Sequence, residues 1–264
     1  MSPVVLVTGG GSGIGRATVL RFADEGYNCV IADINKDTAE ETSNLVKLTT
    51  PKVKSLVIQV DVSISEDVQR MINKTVEEFT RIDVAVNCAA VPPSGKTLHL
   101  VSEEEWIRTI NVNLTGVFLC MKYEIAQMLK QDTLYPLDLI RSRIIGSIIN
   151  VSSEAGKVPV SHMSAYGSSK FGVSCLTQSA QKEYIGTGIR INAVCPFLID
   201  TPMLDWSKHD ANAQKKLLDS VYPDRVGTPK EVADSIYFLG SSTVPFIKGT
   251  LLSVDGGGVK GGVW

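Results

Sequence analysis

The sequence predicts an α/β fold, a single-domain Rossmann-like doubly wound sheet of about seven parallel strands with helices on both faces. Two observations predict it. Short apolar runs alternate with helical segments along the chain, and a glycine-rich turn joins the first run to the first helix. Strands buried on both faces of a parallel sheet have continuous apolar runs of this kind. The predicted strands are residues 4–7, 29–32, 56–60, 84–86, 147–150, 190–194 and 251–254.

Length and composition favour one globular domain over residues 1–264. Hydrophobic residues make up 44% of the chain and the net charge is −2, which argues against disorder and against nucleic acid or an anionic membrane as partner. Five scattered cysteines and three unclustered histidines give no metal-ligand spacing, so no metal is expected. The first apolar run enters the glycine-rich turn directly and is no targeting segment. These features together predict a cytoplasmic protein in a reducing compartment.

The glycine-rich turn, residues 8–15, follows the first predicted strand and opens a helix. Its glycines have the spacing Gly-x-x-x-Gly-x-Gly. Glycine lets the backbone approach a pyrophosphate, which the free N–H groups of the helix N-terminus can bind. A plain flexible turn is the alternative, but the position between strand and helix favours a dinucleotide site. The expected contacts are Gly9, Ser12, Gly13, Ile14 and Gly15.

An acidic residue, Asp33, ends the second predicted strand, eighteen residues after Gly15. A carboxylate about 20 residues on binds the adenosine ribose hydroxyls of NAD. The same charge repels the 2′-phosphate of NADP, and the glycine-rich turn has Ser12 where a basic residue could offset it. The sequence therefore predicts NAD rather than NADP. The alternative is an ordinary aspartate that starts a turn with Asn35.

Tyr166 and Lys170 lie four residues apart, and Ser153 precedes Tyr166 by thirteen residues. On a helix this i, i+4 spacing puts both side chains on one face. An ammonium group beside a phenol lowers the phenol pKa from about 10, which suits a general acid/base for alcohol and carbonyl chemistry. The alternative is an ordinary pair on a helix surface, which has the same spacing. The glycine-rich turn at the N-terminus favours a catalytic pair over this alternative. Ser152 is the competitor for the role of Ser153.

Taken together, these residues resemble the short-chain dehydrogenase/reductase family over nearly the whole chain. The resemblance implies that Asn113, Ser153, Tyr166 and Lys170 are catalytic, with a water at Asn113 linking Lys170 to solvent. It also implies a substrate loop or lid around residues 197–224. Phe197 stands where the family usually has glycine, and it could press on the nicotinamide or point into the core.

The resemblance also extends the expected cofactor site. Asp61 and Val62 look like the pair that contacts adenine, and residues 87–90 look like the family's Asn-Asn-Ala-Gly segment. Thr201 is expected to bind the cofactor carboxamide, with a helix cap before Pro202 as its alternative role. The implied cofactor contacts are Gly9, Ser12, Gly13, Ile14, Gly15, Asp33, Asp61, Val62, Asn87, Ala89, Tyr166, Lys170, Ile199 and Thr201.

The predicted function is hydride transfer between NAD and a secondary alcohol or ketone. The expected substrate wall, residues 91–96, 155–163 and 197–224, is mostly apolar and has no arginine, which predicts an apolar, polycyclic or terpenoid-like substrate. One alternative is an NADP-dependent 3-oxoacyl-carrier reductase, which Asp33 disfavours. The other is a catalytically idle relative that serves as a binding protein, which the retained Tyr166 and Lys170 disfavour.

Assembly into a homotetramer or homodimer is expected from two helices, residues 116–128 and 165–184. Apolar residues lie around much of their circumference, beyond the face that the sheet needs. The residues concerned are Val117, Phe118, Cys120, Met121, Phe171, Val173, Cys175 and Leu176. The segment 131–143 and the glycine-rich tail 256–264 have no role assigned from the sequence.

Overall fold

The computed structural model describes residues 2–133, 144–204 and 225–258, together with residues 212, 215 and 218. Three features of the sequence therefore lie wholly or partly outside the described residues. They are the segment 131–143, the expected lid around 197–224 and the C-terminal tail.

Seven parallel strands form one sheet in the order β3-β2-β1-β4-β5-β6-β7, which confirms the predicted fold class. The strand order reverses between β1 and β4, and in open α/β sheets ligands bind at this point, beyond the carboxyl ends of the strands. The strands are β1 (Val4–Thr8), β2 (Asn28–Asp33), β3 (Ser55–Gln59), β4 (Val84–Asn87), β5 (Gly146–Val151), β6 (Ile189–Pro196) and β7 (Leu251–Val254).

Helices connect the strands. Two of them begin with a capping box, Ser102 with Glu105 and Thr228 with Glu231, in which side chains satisfy the free backbone N–H groups of the first turn. A π-helical turn, Asn111–Thr115, joins the fourth helix to the fifth. The helices are α1 (Gly13–Asp24), α2 (Lys36–Thr49), α3 (Ser65–Phe79), α4 (Glu103–Ile110), α5 (Gly116–Met128), α6 (Ser164–Glu183) and α7 (Pro229–Gly240).

The hydrophobic core has two layers, one on each face of the sheet. Successive residues of a strand point to opposite faces. Accordingly, Val5 and Val7 pack with α1, α2 and α7, whereas Val4 and Leu6 pack with α3, α5 and α6. Helices thus cover both faces, as predicted. Within the described ranges, no helix is both long and apolar enough to cross a lipid bilayer.

The apolar residues of α5 and α6 divide between the core and the surface. Val117 and Val173, on α5 and α6, are 4% and 0% exposed. These residues belong to the faces that cover the core, and the two helices pack on other helices as well as on the sheet. Phe118 and Phe171 do face outward, with 46% and 40% of their surface exposed.

Candidate active site

A cavity of about 890 Å³ lies at the carboxyl ends of the strands. Its wall includes residues that directly follow β1, β3, β4 and β5, so the parallel sheet itself brings distant motifs together. The predicted site residues that line it are Gly9, Ser12, Gly13, Ile14, Gly15, Asp33, Asp61, Val62, Ala89, Ser153, Tyr166, Lys170, Ile199 and Thr201.

The glycine-rich turn has the shape of a cradle for an anion. Gly9 has a φ of +67°, and a Cβ there would lie 3.0 Å from the Ala89 backbone. A Cβ on Gly15 would overlap the carbonyl oxygen of Gly9. Ser12 occupies the N-cap of α1 but its side chain makes no capping hydrogen bond. The N-terminal N–H groups of α1 are therefore not satisfied by the side chain that could cap them, and a pyrophosphate fits this arrangement.

The Asp33 carboxylate is fixed at the wall of this cavity by backbone donors. Oδ2 accepts a hydrogen bond from Gly11 N and Oδ1 accepts one from Asn35 N, each at 2.9 Å. Arg16, a basic residue one turn into α1, is engaged elsewhere. It donates to the Gly11 carbonyl at 2.9 Å and pairs with Glu41 at 2.8 Å.

Ser153, Tyr166 and Lys170 meet in the cavity, where β5 and α6 adjoin. The Ser153 side chain interacts with the Tyr166 phenol, and this interaction lowers the phenol pKa against the effect of burial. Lys170 Nζ lies 5.6 Å from the Tyr166 ring centroid and donates to the Val151 carbonyl at 2.8 Å. Ser152, the competitor, is 2% exposed, and its hydroxyl donates to the Lys170 carbonyl at 3.0 Å. Of the two serines, Ser153 is thus the one that interacts with Tyr166.

The titration of Tyr166 differs from the expectation. Burial raises its pKa to about 12, although the hydrogen bond from Ser153 acts in the opposite direction. Burial also lowers the pKa of Lys170 to about 8. The expected depression of the phenol pKa by the ammonium group is therefore not seen in this structure, because removal of the phenolate from water outweighs the other influences.

Two predicted residues, Asn87 and Asn113, lie behind the cavity wall. The Asn113 side chain accepts from Val91 N at 2.8 Å and donates to Val91 O at 3.1 Å, so it braces the loop after β4. The Asn87 amide is 2% exposed and donates to Glu124 and Asn150. Neither amide lines the cavity, because the strand alternation and the π-helical turn point both side chains inward.

The substrate end of the cavity is mostly apolar, and Phe197 is part of its lining. Two basic residues within the expected wall segments are paired, Lys96 with Glu105 at 2.7 Å and Lys157 with Glu154 at 3.3 Å. The expected wall segments contain no arginine, but α4 brings Arg108 to the cavity wall. Trp206 lies outside the described residues. The apolar lining residues of the expected wall are Val91, Pro93, Ala155, Val160, Met163, Phe197, Leu198, Ile199, Pro202, Met203 and Leu204.

Arg108 was not predicted at the site because it lies on α4, outside the expected substrate loops. Arg108 precedes Asn111 and Val112, which also line the cavity, by about one helical turn. Because Arg108 lies so close before the predicted site residue Asn113 in the sequence, its position was the signal that indicated a place near the site.

The fold and this cavity define a Rossmann-like dinucleotide-binding protein, and comparison with known proteins identifies the family. A family model described as enoyl-(acyl carrier protein) reductase matches residues 9–258. A short chain dehydrogenase/reductase, astE of Aspergillus oryzae, is 38% identical over 96% of this chain and 94% of its own length. The chain belongs to the short-chain dehydrogenase/reductase family.

Other relatives are similar over almost their whole length. The 2,5-dichloro-2,5-cyclohexadiene-1,4-diol dehydrogenase of Sphingobium indicum is 36% identical, with 96% of this chain and 95% of the relative covered. Among solved structures, levodione reductase has a TM-score of 0.89 at 31% identity, covering 96% of both chains. ElxO with NADP bound has a TM-score of 0.85 at 32% identity, covering 97% of this chain and 98% of that one.

Proposed function

We propose that this protein is an NAD-dependent oxidoreductase that interconverts a secondary alcohol and its ketone. The observation that carries the proposal is that Ser153, Tyr166 and Lys170 line one cavity together with the glycine-rich turn. This arrangement puts a proton donor/acceptor and a dinucleotide cradle in one enclosure, as hydride transfer to or from an alcohol carbon requires.

Each side chain has a distinct role in the proposed reaction. The bound nicotinamide supplies the hydride acceptor for oxidation and the donor for reduction. Tyr166 takes the hydroxyl proton in oxidation and returns it in reduction, while Ser153 donates a hydrogen bond to the substrate oxygen. Lys170 binds the nicotinamide ribose and supports the phenolate, and Asn113 holds the relay water. Since burial favours the phenol form of Tyr166, oxidation should accelerate as the pH rises.

NAD is the proposed cofactor because of Asp33. Its carboxylate lines the cavity and is held there by two backbone donors, so the charge cannot easily turn away from a 2′-phosphate. Arg16 is paired with Glu41 and does not offer a free cation in compensation. The structure of ElxO with NADP shows that a fold of this kind can hold NADP, so cofactor preference has to be measured directly.

The proposed substrate is an apolar cyclic alcohol or ketone. The described wall of the substrate end consists mainly of valine, leucine, methionine, proline and phenylalanine side chains. The similarity to a cyclohexadiene-diol dehydrogenase supports a ring compound. Arg108 also lines the described wall, and its positive charge would suit cyclic substrates that carry an acidic substituent.

Steady-state assays test this proposal. We expect turnover of cyclic secondary alcohols with NAD, and a lower kcat/KM with NADP. Reduction of 3-oxoacyl carriers with NADPH in preference to all alcohols would support the carrier reductase instead. Cofactor binding without turnover of any alcohol or ketone in a broad panel would support the idle binding protein.

Assembly into a homodimer or homotetramer through α5 and α6 is part of the proposal. Phe118 and Phe171 present two large exposed rings on these helices, and such rings favour a partner surface. Light scattering tests it. Phe118→Glu should shift the protein toward the monomer, whereas Leu48→Glu on α2 should not.

The proposed location is a reducing compartment such as the cytoplasm, which the five free cysteines support.

A further inference from the structure

A buried polar cluster lies directly behind the cavity wall, outside the groups used in the proposed reaction. It contains Glu124 of α5, Asn87 at the end of β4, Asn150 of β5 and Thr177 of α6. Glu124 and Asn150 are 0% exposed and Asn87 is 2% exposed. A buried carboxyl in such a place needs either a cation or a proton to be tolerated.

Asn87 is the first donor of the cluster, and its hydrogen bonds lead to Glu124 on one side and to Asn150 and Thr177 on the other. Asn87 Nδ2 donates to Glu124 Oε2 at 3.1 Å and to Asn150 Oδ1 at 3.0 Å. Asn150 Nδ2 donates to Thr177 Oγ1 at 2.9 Å, and Thr177 donates to the Val173 carbonyl at 2.8 Å. Both protons of the Asn87 amide are therefore used, and its orientation is fixed because both neighbours are acceptors.

Two oxygens of this cluster have no partner within the described residues, Glu124 Oε1 and Asn87 Oδ1. They belong to the same two side chains that the bond from Nδ2 to Oε2 already joins. Buried acceptors without a partner are costly and call for an explanation. A single proton on Glu124 Oε1 would satisfy both oxygens, because a carboxylic acid and a primary amide pair through two parallel hydrogen bonds.

We infer that Glu124 is protonated in the folded protein and forms a doubly hydrogen-bonded pair with Asn87 that positions the floor of the cofactor cavity. In the described part of the chain, Asn87 is the one hydrogen-bond partner of the Glu124 side chain, and no ion pair includes Glu124. Burial raises the pKa of Glu124 to about 8, with the bond from Asn87 acting in the opposite direction.

The pair reaches the cavity through the backbone. Asn87 is followed by Cys88 and Ala89, whose N–H groups both donate to Thr8 Oγ1, at 3.1 and 3.3 Å. Ala89 is also the residue that approaches Gly9 of the glycine-rich turn. A shift of Asn87 would therefore move the cofactor cradle. Glu124 itself touches no cavity atom and acts as a positioning residue.

Infrared spectroscopy of the full-length protein tests the protonation. The wild type should show the carbonyl stretch of a protonated carboxylic acid at neutral pH, shifted by ¹³C-glutamate labelling and absent from Glu124→Gln. A spectrum in which this band is missing, with Glu124 contributing only carboxylate bands, would overturn the inference and indicate an ionised group beside a trapped water.

Variants test the positioning role. Glu124→Gln keeps the shape and can form the same pair through its amide, so its NAD dissociation constant should stay within about twofold of wild type. Glu124→Leu leaves Asn87 without the pair, and its NAD affinity should fall by about tenfold or more. Equal loss in both variants, or unchanged affinity in Glu124→Leu, would refute the role.

A matched control separates positioning from general destabilisation. Gln131 is also buried and braces β4, but it bonds the backbone of Ile82, at the end of the strand away from the cavity. Gln131→Leu should lower the melting temperature without weakening NAD binding; weakening equal to that of Glu124→Leu would refute the role. The affinity test rests on the proposed cofactor, whereas the infrared test does not. Failure of the wild type to bind NAD would therefore overturn the proposed function alone.

Discussion

Lys170 Nζ donates a hydrogen bond to the Val151 carbonyl oxygen at 2.8 Å. Because Val151 ends β5 and Lys170 lies on α6, this bond ties the helix to the strand end that carries Ser153. Ser152 adds a second tie by donating to the Lys170 carbonyl at 3.0 Å. The relative position of Ser153 and Tyr166 thus depends on buried hydrogen bonds that do not involve their own hydroxyl groups. Substitutions that remove either hydroxyl should therefore affect catalysis more than the position of these residues.

Tyr166→Phe should lower kcat by at least about a hundredfold, because it removes the proton-transfer group and keeps the ring. The NAD dissociation constant should change little. Steady-state kinetics and cofactor titration measure both quantities. Tyr184→Phe, at the other end of the same helix, is the control and should retain normal turnover. Near-normal kcat in Tyr166→Phe would contradict the proposed mechanism.

The two adjacent serines should respond differently to removal of their hydroxyls. Ser153→Ala should lower kcat by about a hundredfold, the usual effect of losing one donor to a developing oxyanion. Ser152→Ala should keep most of its turnover but lose about 1 to 3 kcal/mol of unfolding free energy, since Ser152 bonds the Lys170 carbonyl and Ser174. Urea unfolding and kinetics of both variants provide the comparison. The reverse pattern would move the role to Ser152.

Local pattern was enough to predict the strands and the glycine-rich turn. The strands contain short apolar runs that are visible in the sequence without knowledge of distant contacts. Asp33 could also be predicted, because its place follows from counting residues between the turn and the end of β2. The cavity then follows from parallel strand order, which brings the carboxyl ends of the strands to one edge.

The rest depends on contacts that spacing does not encode. The pKa of Tyr166 is governed by burial, and Lys170 is held by a carbonyl nineteen residues upstream. Asn87 was expected at the cofactor, but it is the last residue of β4 and its amide turns toward Glu124. In the sequence Glu124 is a single acidic residue within an apolar helix. Its burial and its hydrogen bond with Asn87 are known only from the fold.

Asp33→Ala should reduce the preference for NAD over NADP. The substitution removes a charge that would repel the 2′-phosphate, but it adds no cation to bind that phosphate. We expect the ratio of kcat/KM values for the two cofactors to approach unity, mainly through a lower value with NAD. Asp37→Ala, which removes an exposed charge outside the cavity, is the control. A wild-type protein that is faster with NADP would refute the cofactor proposal.

The protonated Glu124 has a consequence for folding stability that its glutamine variant should lack. Burial raises the pKa of Glu124 from 4.5 to about 8. Between these values the folded protein holds a proton that the unfolded chain has lost, so wild-type stability should fall as the pH rises through this window. The slope for one proton is about 1.4 kcal/mol per pH unit. The contribution is complete below pH 4.5 and lost above about pH 8.

Urea unfolding of the wild type and Glu124→Gln across this pH range gives the difference in unfolding free energy directly. Groups common to both proteins cancel in that difference. Asn87, which bonds Glu124, does not titrate, and neither do Asn150 and Thr177, to which the hydrogen bonds of the cluster continue. Cys120, on the same helix, has its pKa raised by burial and then by Glu124 itself, so its thiol stays neutral in the window. A difference that stays constant with pH would show that Glu124 is ionised when the protein is folded.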